Sequence, residues 1–258
     1  WAGRGERSKE SARAVDRMLL VFHCEDKIYD DVGIPASYVG HPLASMIPMI
    51  PDSLAARQRL GVQTGGSLIA VLPGSRAGEV HHIGPIFIAA MAQLASEQPS
   101  IRFVLPVADP GLRADIGRMM AAYSNLSAHV NIVNGRSHDC LEAADVVLVA
   151  SGTATLEAAL FKRPMVISYK MPPVSAWIMR RKGSIPYIGL PNILAGELVV
   201  PELVQELATP AALARAVLDW MHDAARRERT AARFTEMHHS LKRDTARLVA
   251  DSIFEVAQ

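Results

Sequence analysis

The pattern that most restricts how this chain can fold is an alternation. Apolar runs at about Leu68 to Leu72, Ile101 to Leu105, His129 to Val133, Val146 to Val149 and Met165 to Ser168 are separated by stretches of helical spacing. Continuous apolar runs of this length suit strands buried on both faces, and strands linked through helices pair in parallel. The expected fold class is α/β, a doubly wound parallel sheet with helices on both sides. After the first run, Ile83, Ile86, Phe87, Ala90, Met91 and Leu94 recur at three-to-four spacing, the core face of a helix. Two further runs, Arg17 to Phe22 and Ala36 to Val39, precede Gly40-His41-Pro42. The Pro-rich, aperiodic stretch from Pro42 to Asp52 then reads as a linker or hinge. From about Pro210 the pattern is helical, and Phe234, Met237, Leu241 and Leu248 keep helical spacing between basic residues.

Composition removes several classes of function. The 27 Lys and Arg nearly balance 26 Asp and Glu, so nothing in the overall charge points to nucleic acid. Cys24 and Cys140 stand alone without a CxxC or a His/Cys cluster, which argues against a disulfide scaffold or structural zinc. No apolar stretch reaches the roughly 18 residues of a membrane span, and no secretory signal opens the chain. Trp1 stands in place of an initiator Met and the opening reads as the middle of a domain, so a natural N-terminal portion is expected to be missing.

Two segments at strand ends carry the chemistry: Val71-Leu72-Pro73-Gly74-Ser75-Arg76 and Ala150-Ser151-Gly152-Thr153-Ala154-Thr155-Leu156-Glu157. Where a strand turns into a helix, unpaired N–H groups and the helix dipole favour an anion. Gly74 and Gly152 allow close approach of a ligand, Ser75, Ser151 and Thr153 add hydroxyls, and the planar fork of Arg76 suits a diphosphate. Glu157, about one turn into the second helix, would reach a ribose diol. Gly84-Pro85 leaves a second possibility, that the main helix starts there and Arg76 lies in a preceding loop. Each motif alone is also ordinary turn and capping vocabulary. Their repetition after two buried strands is what carries the ligand reading. The loop Asn134 to Asp139 opens on the same edge and could hold a base through backbone groups or be a plain capped turn.

The runs Leu72 to Arg76, Ala150 to Glu157, Pro164-Met165-Val166, Tyr169-Lys170-Met171 and Gly189 to Gly196 resemble lipid-A-disaccharide synthase in order and spacing. Weaker similarity extends back to Trp1. Phe22-His23-Cys24-Glu25 departs from the family's usual Phe-Pro-Phe-Glu, which touches local packing more than donor binding. The resemblance implies a GT-B glycosyltransferase whose Rossmann-like C-terminal half grips UDP. Three parts follow: a remnant of the N-terminal domain and hinge at 1–45, the UDP-sugar domain at 46–222, and helices packing back toward the N-terminal domain at 223–258. By resemblance, Gly74, Ser75, Arg76, Ser151, Gly152 and Thr153 line the diphosphate pocket, Glu157 takes the ribose, and Asn192 faces the nucleotide site. His41, at the crossing between domains, either caps or hinges the chain or approaches the sugar phosphate.

The implied reaction is inverting transfer of 2,3-diacylglucosamine from UDP to 2,3-diacylglucosamine 1-phosphate, giving lipid A disaccharide 1-phosphate. It needs no cofactor, no metal and no nucleic acid, and the family's presumed base lies upstream of Trp1, so the fragment alone is expected to be inactive. The implied location is cytoplasmic, peripheral to the inner membrane, with a homo-oligomer possible. The segment 171–182, where Trp and aliphatic residues run into three cations, would either rest on anionic lipid or form a core helix ending in dipole-complementing cations. Two other functions fit the same residues. One is a UDP-sugar 2-epimerase of like architecture, which would accept a non-acylated donor; the other is a non-catalytic UDP-binding module.

Overall fold

The computed structural model describes residues 14–172 and 186–256. Most of the candidate membrane segment therefore lies outside the described residues. Six parallel strands form the main sheet: β3 (Leu68–Leu72), β4 (Arg102–Val107), β5 (Val130–Asn134), β6 (Val146–Ala150), β7 (Met165–Tyr169) and β8 (Glu202–Val204). Their order is β5-β4-β3-β6-β7-β8. Every residue of β3 and β6 is buried, as expected of central strands with helices on both faces. The chain steps outward from β3 to β5, then returns to the other flank of β3 to lay down β6. That reversal creates a crevice at the carboxyl ends of β3 and β6, where open α/β sheets bind ligands. A separate parallel pair, β1 (Met18–Leu20) with β2 (Ala36–Tyr38), lies outside this sheet.

Three structural details differ from the sequence expectation. The helix after β3 runs unbroken over Ala77–Glu97 with Arg76 as its N-cap residue, so it does not start at Gly84-Pro85. Pro85 is tolerated inside it because Pro85 and His81, whose carbonyl loses its partner, lie on the exposed side. Strand β8 was not expected from the sequence. The presumed hinge contains a short helix, Pro42–Met46, followed by the helix Ser53–Leu60 capped by Asp52, whose Oδ1 accepts from the Ala55 amide at 2.9 Å.

Helices Ala77–Glu97 and Pro210–His222 cover one face of the sheet. Helices Ser137–Ala143 and Thr153–Leu160 cover the other. Trp220 anchors the first layer: its side chain is wholly buried and its indole N–H donates to the Met165 carbonyl at 2.9 Å. A large aromatic of this kind is enclosed only when its single polar atom finds a partner.

The long helix Ala224–Leu241 is held by a buried polar junction. Lys162 Nζ donates to the carbonyls of Leu160 (2.6 Å) and Pro48 (3.2 Å) and to His238 Nδ1 (2.6 Å). All three ammonium protons are thus used, so His238 Nδ1 is the acceptor and Nε2–H donates to the Ala44 carbonyl at 2.7 Å. Burial lowers the Lys162 ammonium to about 8, helped by Arg163 and Lys242. Burial also lowers His238, and the neighbouring Lys162 and Lys242 add to the shift against the opposing backbone hydrogen bonds.

A histidine held neutral in the folded state favours folding above its unfolded value near 6.5, and this contribution is lost as pH falls below that value and the unfolded chain takes up the proton. Urea titrations should therefore show wild-type stability falling as the pH drops below about 6.5. The loss should be shallower in His238→Gln, which keeps a donor and an acceptor but does not titrate. Identical pH slopes for the two proteins would contradict the assignment.

Candidate functional site

A cavity of about 530 Å³ opens at the crevice between β3 and β6. On one side stand Gly74, Ser75, Arg76 and Glu79; on the other, Ser151, Gly152, Thr153 and Glu157. The ends of β4 and β5 supply the back wall through Val107, Ala108 and Gly135.

The first loop depends on a glycine. Gly74 has φ +116°, and a Cβ there would lie 2.7 Å from Glu79 Oε2 and 2.8 Å from Glu79 Cβ. No other residue fits without moving the first turn of the helix. Arg76 follows in extended conformation with its side chain 82% exposed, and its Nη1 lies 2.8 Å from Glu79 Oε1. With its Arg76 end open to water, the pair contributes at most about 1 kcal/mol, which lets the guanidinium exchange its partner for a more highly charged anion.

The second loop is braced from behind. The Ser151 amide donates to the Ser168 carbonyl at 3.0 Å, and its hydroxyl donates to the Ile188 carbonyl at 3.0 Å. Fully buried Thr155 donates its hydroxyl to the Gly152 carbonyl at 2.7 Å and accepts from the Leu190 amide at 3.3 Å. With the turn held in this way, the Thr153 and Ala154 amides, which have no intrahelical acceptor, sit at the cavity edge. Nothing would meet a Cβ at Gly152 within 4 Å, so open space lies in front of it. Glu157, 18% exposed, lies one turn further on.

His138, which sequence reasoning did not single out as a site residue, places Nε2 3.7 Å from Glu157 Oε2 and packs edge-on against Phe161. Glu79 was also missed, although an acid three residues after an arginine at a helix start is a readable sign of a contact back across the turn.

One sequence-based assignment is placed elsewhere, and of the two readings of His41 the structure shows the capping one. Asn192 is wholly buried and does not line the cavity. Its Nδ2 donates to the Val200 carbonyl and to Glu202 Oε1, both at 2.8 Å, and its Oδ1 accepts from the amides of Val199 (2.9 Å) and Val200 (3.0 Å). All four hydrogen-bonding positions are used, so Asn192 has none to offer a nucleotide. Its role is to fix the Gly189 to Val200 loop, with Glu202 also accepting from the amides of Ile188 and Gly189. His41 caps the helix Pro42–Met46, its Nδ1 accepting from the Leu43 amide at 3.2 Å, and its own amide donates to the Leu241 carbonyl. Burial lowers its imidazole below the ordinary value, and it does not line the cavity.

A family model described as lipid-A-disaccharide synthetase matches residues 1–254. The chain belongs to this family. It is 50% identical over its whole length to the lipid-A-disaccharide synthase of Paraburkholderia phytofirmans, covering 66% of that protein. It is 52% identical over 256 residues to that of Cupriavidus pinatubonensis, covering 63%. The chain thus spans a little under two thirds of the length of these curated relatives.

Among solved structures, it resembles WaaG, a glycosyltransferase involved in lipopolysaccharide biosynthesis, with a TM-score of 0.59 and 14% identity over 91% of the chain and 60% of WaaG. It also resembles a UDP-GlcNAc 2-epimerase of Neisseria meningitidis, with a TM-score of 0.63 and 11% identity over 95% of the chain and 63% of the epimerase. These likenesses show the fold: α/β, Rossmann-like, of GT-B type.

Asn192→Ala would leave buried carbonyls and amides without partners and should cost about 2–4 kcal/mol of stability in urea unfolding. A change under about 0.5 kcal/mol would contradict the structural role given to this side chain.

Proposed function

We propose that this chain is the donor-binding half of a glycosyltransferase that moves 2,3-diacylglucosamine from UDP to 2,3-diacylglucosamine 1-phosphate. The observation that carries the reading is the meeting of two strand-to-helix loops across one sheet crevice, in a member of the lipid-A-disaccharide synthetase family. In this reading the amides of the turns at Gly74-Ser75 and Gly152-Thr153, with the Ser151 region and the Arg76 guanidinium, hold the diphosphate. Glu157 accepts from the ribose hydroxyls, and the uracil lies against the main chain at Val107, Ala108 and Gly135.

Stepwise, the site lowers the barrier by stabilising the leaving group. As the bond between sugar and phosphate breaks, charge grows on the diphosphate oxygens, where the turn amides of the second loop and, once released from Glu79, the Ser75 amide and the Arg76 guanidinium stabilise it. A base takes the proton from the acceptor hydroxyl as it attacks from the opposite face, so the configuration inverts. No side chain lining the cavity is assigned that base. The acyl chains of both substrates favour work at the surface of the inner membrane, and among the described residues no helix is long and apolar enough to cross one. The epimerase reading rests on likeness of fold alone.

Calorimetric titration with UDP tests the site. Arg76→Ala should weaken binding by about 1.5–3 kcal/mol, the range for a hydrogen bond to a charged group, and an unchanged affinity would contradict the role. On the full-length enzyme, turnover of acylated UDP-glucosamine but not of plain UDP-GlcNAc separates the transferase from an epimerase.

A further inference from the structure

The side chain that most affects access to the first loop is Glu79. One oxygen of its carboxylate faces Arg76 Nη1 at 2.8 Å while the other accepts from the Ser75 amide at 3.2 Å. These are a guanidinium and a turn amide, the same pair of donors that two phosphate oxygens would take at this loop. The carboxylate is packed against Gly74 and its side chain is only 18% exposed, whereas the Arg76 side chain it holds is 82% exposed. In the structure as it stands, an internal carboxylate holds both of these donors.

We propose that Glu79 is a specificity-determining residue that competes with the ligand for the Ser75 amide and the Arg76 guanidinium, so that only a multiply charged phosphate displaces it. The inference rests on the reading of the cavity as a UDP site. Two like charges brought within about 4 Å repel even in water, and more strongly near a protein surface. A diphosphate offsets this by taking both donors and the amides of the second loop. A neutral nucleoside reaches none of these donors and leaves Glu79 in place.

The test titrates the 258-residue chain, as wild type, Glu79→Gln, Glu79→Asp and Arg76→Ala, with UDP and with uridine. Glu79→Gln keeps the side chain's shape and removes its charge, and it should bind UDP roughly tenfold tighter with uridine affinity unchanged. Glu79→Asp keeps the charge but is one methylene short of the Ser75 amide, and it should fall between wild type and Glu79→Gln. If Glu79 merely capped the helix, the Gln variant would melt lower and bind both ligands no better than wild type, which would overturn the proposal. Arg76→Ala separates the two levels. If it weakens UDP while Glu79→Gln does not tighten it, the inference alone fails. If wild type binds no UDP, or Arg76→Ala has no effect, the site reading and the inference fall together.

Discussion

The parallel pairing of β3 with β6 is the constraint on which the rest of the structure depends. Ile69 to Leu72 align with Val146 to Val149, so the two strands end level and their following turns emerge side by side. Both strands are wholly buried, and a slip of one residue would turn every side chain to the opposite face. The register that fills the core therefore also brings the turns at Gly74 and Gly152 to one cavity. A local glycine turn becomes half of a cavity only because of this long-range pairing.

A second layer of polar contacts keeps that cavity open. Thr155, Ser151, Asn192 and Glu202 spend their hydrogen-bonding capacity on main-chain groups of the loops behind the site. Buried networks of this kind are stable only when every member is satisfied, and Asn192 meets that condition at all four positions. The amides facing the cavity can then remain available to a ligand while the carbonyls behind them are occupied. The Lys162 and His238 junction does similar work at the base of the sheet, joining the end of helix Thr153–Leu160 to the helix Ala224–Leu241 and to Ala44.

Much of this was legible in the sequence, for reasons that also explain the misses. The central strands announce themselves because a strand buried on both faces has no polar positions to interrupt the run. Strand β8 is three residues long and carries Glu202, whose carboxylate turns to the amides at 188 and 189, so its pattern shows no apolar run. Gly84-Pro85 looks like a helix start because proline suits that position, but the helix runs through it with His81 and Pro85 both on the exposed side, where the lost hydrogen bond leaves no polar group facing the core. The loops at 74–76 and 151–153 were readable as local chemistry, and the sheet brings them together. Asn192 was misplaced because a motif gives residue identity without the direction of the side chain. Glu79 and His138 were passed over because each acts through a neighbour across a turn or between helices.

In the proposed site, two crossovers of one sheet present their amides to the same pyrophosphate. The most direct measurement is a crystal structure of the chain soaked with UDP. Density for the pyrophosphate is expected between Ser75-Arg76 and Gly152-Thr153, with the ribose against Glu157. A nucleotide bound anywhere else on the molecule would contradict it.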